Sequence, residues 1–175
     1  MNKIQRRQRP ENNEYFEYYD RYVSLVPDGD IIEILKNQQK ICNNLLLDLP
    51  EKKINYKYAP EKWTLKQVFG HVIDVEWVFT YRALTIARGD KTALPGMDQN
   101  EFMKGANFEK RQMSDMIEEY NHLRSANIVL FTSFDEQINN RTGMASGCSF
   151  SVRSIPYIIA GHELHHINVI KERYL

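Results

Sequence analysis

Three of the chain's five histidines fall in one short run, Gly161-His162-Glu163-Leu164-His165-His166. On a helix, His162 and His166 stand four residues apart on one face, about 6 Å from each other along the axis. Two neutral imidazoles at that spacing can converge on one metal ion. Ile155, Ile159, Val169 and Ile170 make the surrounding face apolar. Two rings buried side by side there cannot both take a proton cheaply, so a metal accounts for the pair better than packing does.

The same residues spell H-E-x-x-H, the zinc-protease helix in which the glutamate acts as base. The longer form of that motif fails here, because Val169 stands where glycine is needed and Glu172 where histidine is needed. With only nine residues after His166, a third ligand has to come from an earlier helix. His71 is the candidate, set between Val68, Val72 and Val75 at the edge of an apolar face. Taken alone, His71 also reads as a core histidine bonded to a carbonyl. His122 lies to one side of its apolar stripe, and His165 lies about 100° round the helix from His166.

Three imidazoles leave one position of a tetrahedral ion open, which is the pattern of a reactive centre and not of a closed structural one. Zinc is the default for such a set, with nickel, cobalt or iron admitted by affinity. Asp74, Glu163 and His165 are the candidates for orienting the ligands from behind. Asp74 reads equally well as a surface carboxylate. Glu76, Tyr81 and Arg82 are further polar groups on the same helix as His71, and the pattern does not sort them.

These residues need a scaffold. The chain has 175 residues, with 23 Lys and Arg against 23 Asp and Glu, so its net charge is zero. That balance argues against a nucleic-acid partner, which would be held by neutralising phosphates. No 18-residue apolar run is present, so no membrane span is expected. The basic residues at the N-terminus have no apolar stretch behind them, so no secretory signal is expected either. Cys42 and Cys148 show no C-x-x-C spacing and read as reduced thiols of a cytoplasmic protein. One domain over residues 1–175 suits this length.

Helical periodicity marks four long segments. The first runs from Ile31 to Leu49 behind the turn Pro27-Asp28-Gly29-Asp30 and stops at Pro50. The second opens on the capping box Thr64-Leu65-Lys66-Gln67 and fades at Arg88-Gly89-Asp90. The third covers about Phe108 to Phe134, and the last about Ser151 to Tyr174. Pro156 is tolerated in the last only if that helix begins close to Ser154 or bends. Lys91–Ala106 and Asn139–Gly147 read as connections, and no convincing strand is found. Residues 1–27, rich in Tyr and Phe, read as an N-terminal arm packed on the body. The expectation is an all-α four-helix bundle.

In this order, the blocks RPENNEYFEYYDRYVSLVPDGD, YAPEKWTLKQVFGHVIDVEWVFTYRALTIARGD, LPGMDQNEF, RTGMASG and YIIAGHELHHINVIKERYL resemble the DinB-like superfamily. That group of metal-binding four-helix bundles includes the YfiT-like proteins and bacillithiol transferases. The resemblance runs from about Arg9 to Leu175. It implies a four-helix bundle of DinB/YfiT type with long crossover loops. It also implies a divalent metal, zinc or nickel, on one histidine of the second helix and an H-x-x-x-H pair of the last, which fall on His71, His162 and His166. Homodimers are common in the group. Its characterised members move a low-molecular-weight thiol onto an electrophile, or isomerise an adduct through such a thiol.

The expected function is therefore a metal-dependent thiol S-transferase. The thiol co-substrate would ionise at the open metal position and attack an electrophilic small molecule, with no cysteine of the protein involved. A metal-dependent small-molecule hydrolase is the alternative within enzymes. A non-catalytic metal-dependent binding or stress protein is the alternative outside them.

Overall fold

A computed structural model describes residues 8–175 of the chain. The first seven residues of the expected arm lie outside the described residues. From Asn12 the arm forms two 3-10 turns, Asn12–Glu14 and Glu17–Tyr19, and then the short helix α1 (Asp20–Val23). Helix α2 (Ile31–Leu46) begins where Asp30 accepts a hydrogen bond from the Ile32 amide at 2.8 Å. After α3 (Glu51–Ile54), α4 (Leu65–Ala87) opens on the expected reciprocal cap. Thr64 Oγ1 accepts from the Gln67 amide at 3.1 Å, and Gln67 Oε1 accepts from the Thr64 amide at 2.9 Å. There follow α5 (Gln99–Ala106), α6 (Met113–Thr132), α7 (Glu136–Asn139), a hairpin of β1 (Thr142–Ala145) and β2 (Cys148–Ser151), and α8 (Ser154–Arg173). Pro156 is the third residue of α8, inside the first turn, where its missing N–H costs no intrahelical bond.

Four helices form the bundle. α2 packs on α6 and α8, and α4 packs on the same two, so α2 faces α4 across the axis and α6 faces α8. The direction of each helix follows from the two apolar clusters that fill the core. One cluster holds the N-terminal halves of α2 and α8 and the C-terminal halves of α4 and α6: Ile31, Leu35, Ile155, Ile158, Phe79, Ile86 and Phe131. The other holds the opposite halves, with Leu46, Ile170, Phe69, Met116 and Ile117 among its residues. The order is therefore up-down-down-up. α4 and α6 run parallel, and the crossover between them must travel the length of the bundle. It does so: Leu94 packs in the first cluster and Phe108 in the second.

Between the clusters lies a buried polar layer. Arg124 of α6 donates from Nε and Nη2 to the two carboxylate oxygens of Glu76 on α4, each at 2.8 Å. Its Nη2 also donates to Glu163 of α8, and its Nη1 to the Leu35 carbonyl of α2 at 3.3 Å. Tyr120 donates to Glu163 at 3.0 Å and Asn127 to Glu76 at 2.9 Å. One guanidinium thus ties all four helices at mid-height and fixes the rotation of α8 about its axis.

The chain departs from the periodic reading at three places. The stretch read as a loop at Asn139–Gly147 contributes β1, and the residues just beyond it form β2, so the bundle carries a small hairpin. Its turn residues Ser146 and Gly147 take φ of 53° and 74°, as a two-residue hairpin requires. Short strands without a β-branched run gave no period to read. The connection Lys91–Ala106 holds α5, whose first amides are capped by Asp98. The first long helix ends at Leu46, three residues before the expected Leu49, and residues 47–49 form a turn ahead of the separate short helix α3. No helix of the described residues is long and apolar enough to cross a membrane.

Candidate metal centre

α4 and α8 pack against each other, and the contact brings His71 to the pair on α8. His162 Nε2 lies 3.2 Å from His71 Nε2 and 3.1 Å from His166 Nε2. The three ligand atoms all lie within 4.8 Å of one another. Nitrogens bound tetrahedrally to one zinc ion at ~2.0–2.1 Å stand ~3.3 Å apart. The donor set therefore fits a single first-row divalent ion. Hydrogen bonding does not replace it, because one Nε2 of His162 would have to serve both neighbouring rings in place of water.

The electrostatics suit the same role. Burial pushes His71 down to about 4. Burial, with His71 and His165 nearby, pushes His166 down to about 3. His162 is held well below the ordinary histidine range by burial and then by His166 and His71. All three rings are neutral at pH 7, and each has a lone pair to offer. The Trp63 ring stands 5.2 Å from His71, and Tyr22 stands edge-on to His162 at 5.3 Å.

Tyr22 is there because α1 crosses α8 at Gly161. A Cβ on Gly161 would lie 2.0 Å from the Tyr22 carbonyl oxygen, an obstruction by backbone that no rotamer change relieves. Gly161→Ala is expected to lift α1 off α8 and cost about 2–3 kcal/mol of stability in urea unfolding. A change below about 0.5 kcal/mol would show that the crossing is not tight.

The residues expected behind the ligands are placed elsewhere. Glu163 points into the polar layer, where it meets Arg124 and Tyr120. Burial raises its carboxyl, with Arg124 opposing. It is neither aimed at the ligand nitrogens nor able to serve as the base of a protease helix. His165 is exposed, with its ring 5.0 Å from that of His166. His166 Nδ1 is buried and takes no hydrogen bond among the described residues, so none of the three candidates orients that ring.

Asp74 is half-buried near Glu119 and Arg111, and it bonds to no ligand ring. Burial and then the Glu119 charge raise it from the ordinary 3.8 to about 6, with Arg111 opposing. A folded value above the unfolded one means that this part of the stability is full below pH 3.8 and is lost as pH rises through 6. Asp74→Asn is expected to stabilise the protein by about 1 kcal/mol at pH 8, allowing for solvent screening. At pH 4 the gain should vanish, and metal content should not change. Equal gains at both pH values, or loss of metal, would contradict this placement.

His71 and His162 form the floor of a pocket of about 360 Å³. Its apolar wall includes Val75, Phe79 and Phe150, and no carboxylate of the described residues lines it. Arg82 of α4 lines the same pocket, and the hairpin brings Cys148 to it. Sequence reasoning left Arg82 unsorted and Cys148 unconnected. The available signal for Arg82 was its register, since His71, Val75, Val78 and Arg82 recur on one face of α4.

Over residues 34–170 the chain matches the family described as the DinB superfamily. Among solved structures, the fold is similar to YfiT from Bacillus subtilis, described as a probable metal-dependent hydrolase with an unusual four-helix bundle topology. The two superpose with a TM-score of 0.71 at 16% identity, covering 81% of this chain and 82% of that one. A comparison with curated protein sequences gives no match.

Proposed function

The chain belongs to the DinB superfamily, and from that premise we propose that His71, His162 and His166 hold one divalent metal ion, zinc or nickel, in a centre that transfers a low-molecular-weight thiol to an electrophilic small molecule. The observation that carries this reading is the meeting of three neutral Nε2 atoms within 4.8 Å, two of them, on His71 and His162, lining a pocket that no carboxylate of the described residues lines.

A divalent ion held there supplies the Lewis acidity that ionises a thiol near neutral pH. The protein's own contribution is positioning and exclusion. His71 and His162 are buried, with Trp63 packed on the first and Tyr22 on the second. The aromatic wall keeps water from the thiol sulfur and strengthens electrostatics at the floor of the pocket. Hydrolysis places a further demand on the protein, a group to take a proton from water and return it to the leaving atom. Among the described residues the pocket offers no carboxylate for it, and Glu163 is turned away. That difference favours the thiol over water. The hydrolase reading has one observation on its side, the description given to YfiT. The same proposal takes the protein to be a cytoplasmic homodimer, supported by the family resemblance and the two free cysteines.

A chlorinated dinitroarene with and without an added thiol tests the reaction on zinc- or nickel-loaded protein. A carbon–sulfur bond forms, chloride leaves, and the thiol proton passes to solvent. Turnover is expected only with thiol present, and it should survive in the Cys42→Ser/Cys148→Ser double variant. Turnover without thiol would make the protein a hydrolase. Loss in the double variant with metal retained would move the nucleophile to the protein. Silence with both thiol and water would leave a binding protein.

A further inference from the structure

Among the described residues two arginines are almost fully buried, and they differ in one respect. Arg124 is shared between two carboxylates. Arg82, only 3% exposed, has neutral company alone. Its Nη2 donates to the Ser146 hydroxyl at 2.9 Å and to the Pro95 carbonyl at 3.1 Å. The Phe79 ring lies 4.8 Å beneath the guanidinium, and the Tyr19 hydroxyl stands beside it. Among the described residues no carboxylate comes within ion-pair distance of Arg82. A guanidinium cannot shed its charge at neutral pH, and a buried charge without a counter-ion is costly.

Arg82 lines the same pocket whose floor is His71 and His162. It follows His71 by eleven residues, three turns of helix, on the same face and about 16 Å further along the axis. We propose that Arg82 is the anion-recognising residue of this pocket, pairing with a carboxylate at one end of a ligand whose other end reaches the histidines. The ligand class is an elongated, carboxylate-bearing small molecule, because the guanidinium fork matches a planar carboxylate. That this ligand is the thiol rests on the function proposed above, whereas the anion site does not.

Glutathione and its diethyl ester are the probes, titrated calorimetrically into the zinc-loaded full chain. S-methylglutathione and its diethyl ester form a second pair without a free thiol. The wild type is expected to bind each acid at least tenfold more tightly than its ester. The ratio should fall towards one in Arg82→Gln and be largely kept in Arg82→Lys. Similar wild-type affinities for acid and ester would overturn the proposal, and so would a preference that Arg82→Gln leaves unchanged. If Arg82→Gln does not fold, the wild-type ratio and Arg82→Lys decide the matter. The second pair separates the two claims. An Arg82-dependent preference seen equally with S-methylglutathione, and no advantage of the free thiol over its S-methyl form, would keep the anion site and remove the thiol reading. A thiol that binds with no preference for its acid would do the reverse.

Discussion

Arg124→Leu is expected to lower folding stability by about 3–5 kcal/mol, measured by urea unfolding. The guanidinium has no exposed surface, and Glu76 and Glu163 are buried almost as fully. With the cation gone, two carboxylates remain at mid-bundle with only the Tyr120 and Asn127 side chains as donors among the described residues. Burial already raises Glu163 and, with the Glu163 charge, pushes the Tyr120 phenol well above its ordinary range. Burial works against the Arg124 charge, but Glu163 and Glu76 outweigh it and raise Arg124 above the usual arginine range. The layer also fixes the rotation of α8, so the same variant should weaken metal binding without touching a ligand. Adding Glu163→Gln should recover part of the loss, as coupled neighbours do. A cost below about 1 kcal/mol would mean that the layer relaxes freely or admits water.

His162→Ala is expected to weaken zinc or nickel binding by on the order of 100-fold or more, beyond the 10–100-fold typical of groups behind the ligands. His162 is the middle ring of the three, with its Nε2 within 3.2 Å of both others. Removing it leaves His71 and His166, on different helices, to hold an ion alone. His165→Ala serves as the control, because that ring is exposed and outside the group, and its effect on affinity should be within about threefold. Competition titration with a chromophoric chelator reads both. Equal losses in the two variants would mean that metal is held by surface histidines.

The bundle helices and the three histidines were legible because both signals are local. Apolar periodicity, the Thr64–Gln67 cap and the i, i+4 spacing of His162 and His166 need no knowledge of distant residues. What stayed hidden depends on contacts across the chain. Glu163 sits inside a motif that suggests chemistry, and only its partner on α6, 39 residues away, reveals a structural role. Arg124 would be taken for a surface residue by type, since arginines are seldom fully buried. The hairpin was missed because its eight strand residues hold glycine, alanine and serine, and its register comes from the Ser146-Gly147 turn. Cys148 stands on the hairpin and Arg82 on α4, and they line one pocket only through the packing of the hairpin on α4, beside which the crossover lays Leu94.

The metal content of untagged protein, purified beside His71→Ala and measured by elemental mass spectrometry, tests the central claim most directly. In the proposed centre, His71 is the ligand that makes it bridge two helices. One zinc or nickel per chain in the wild type, falling close to zero in a folded His71→Ala, is the result predicted here. A folded wild type that stays empty when zinc and nickel are offered, or a His71→Ala variant that keeps its full metal, would contradict it.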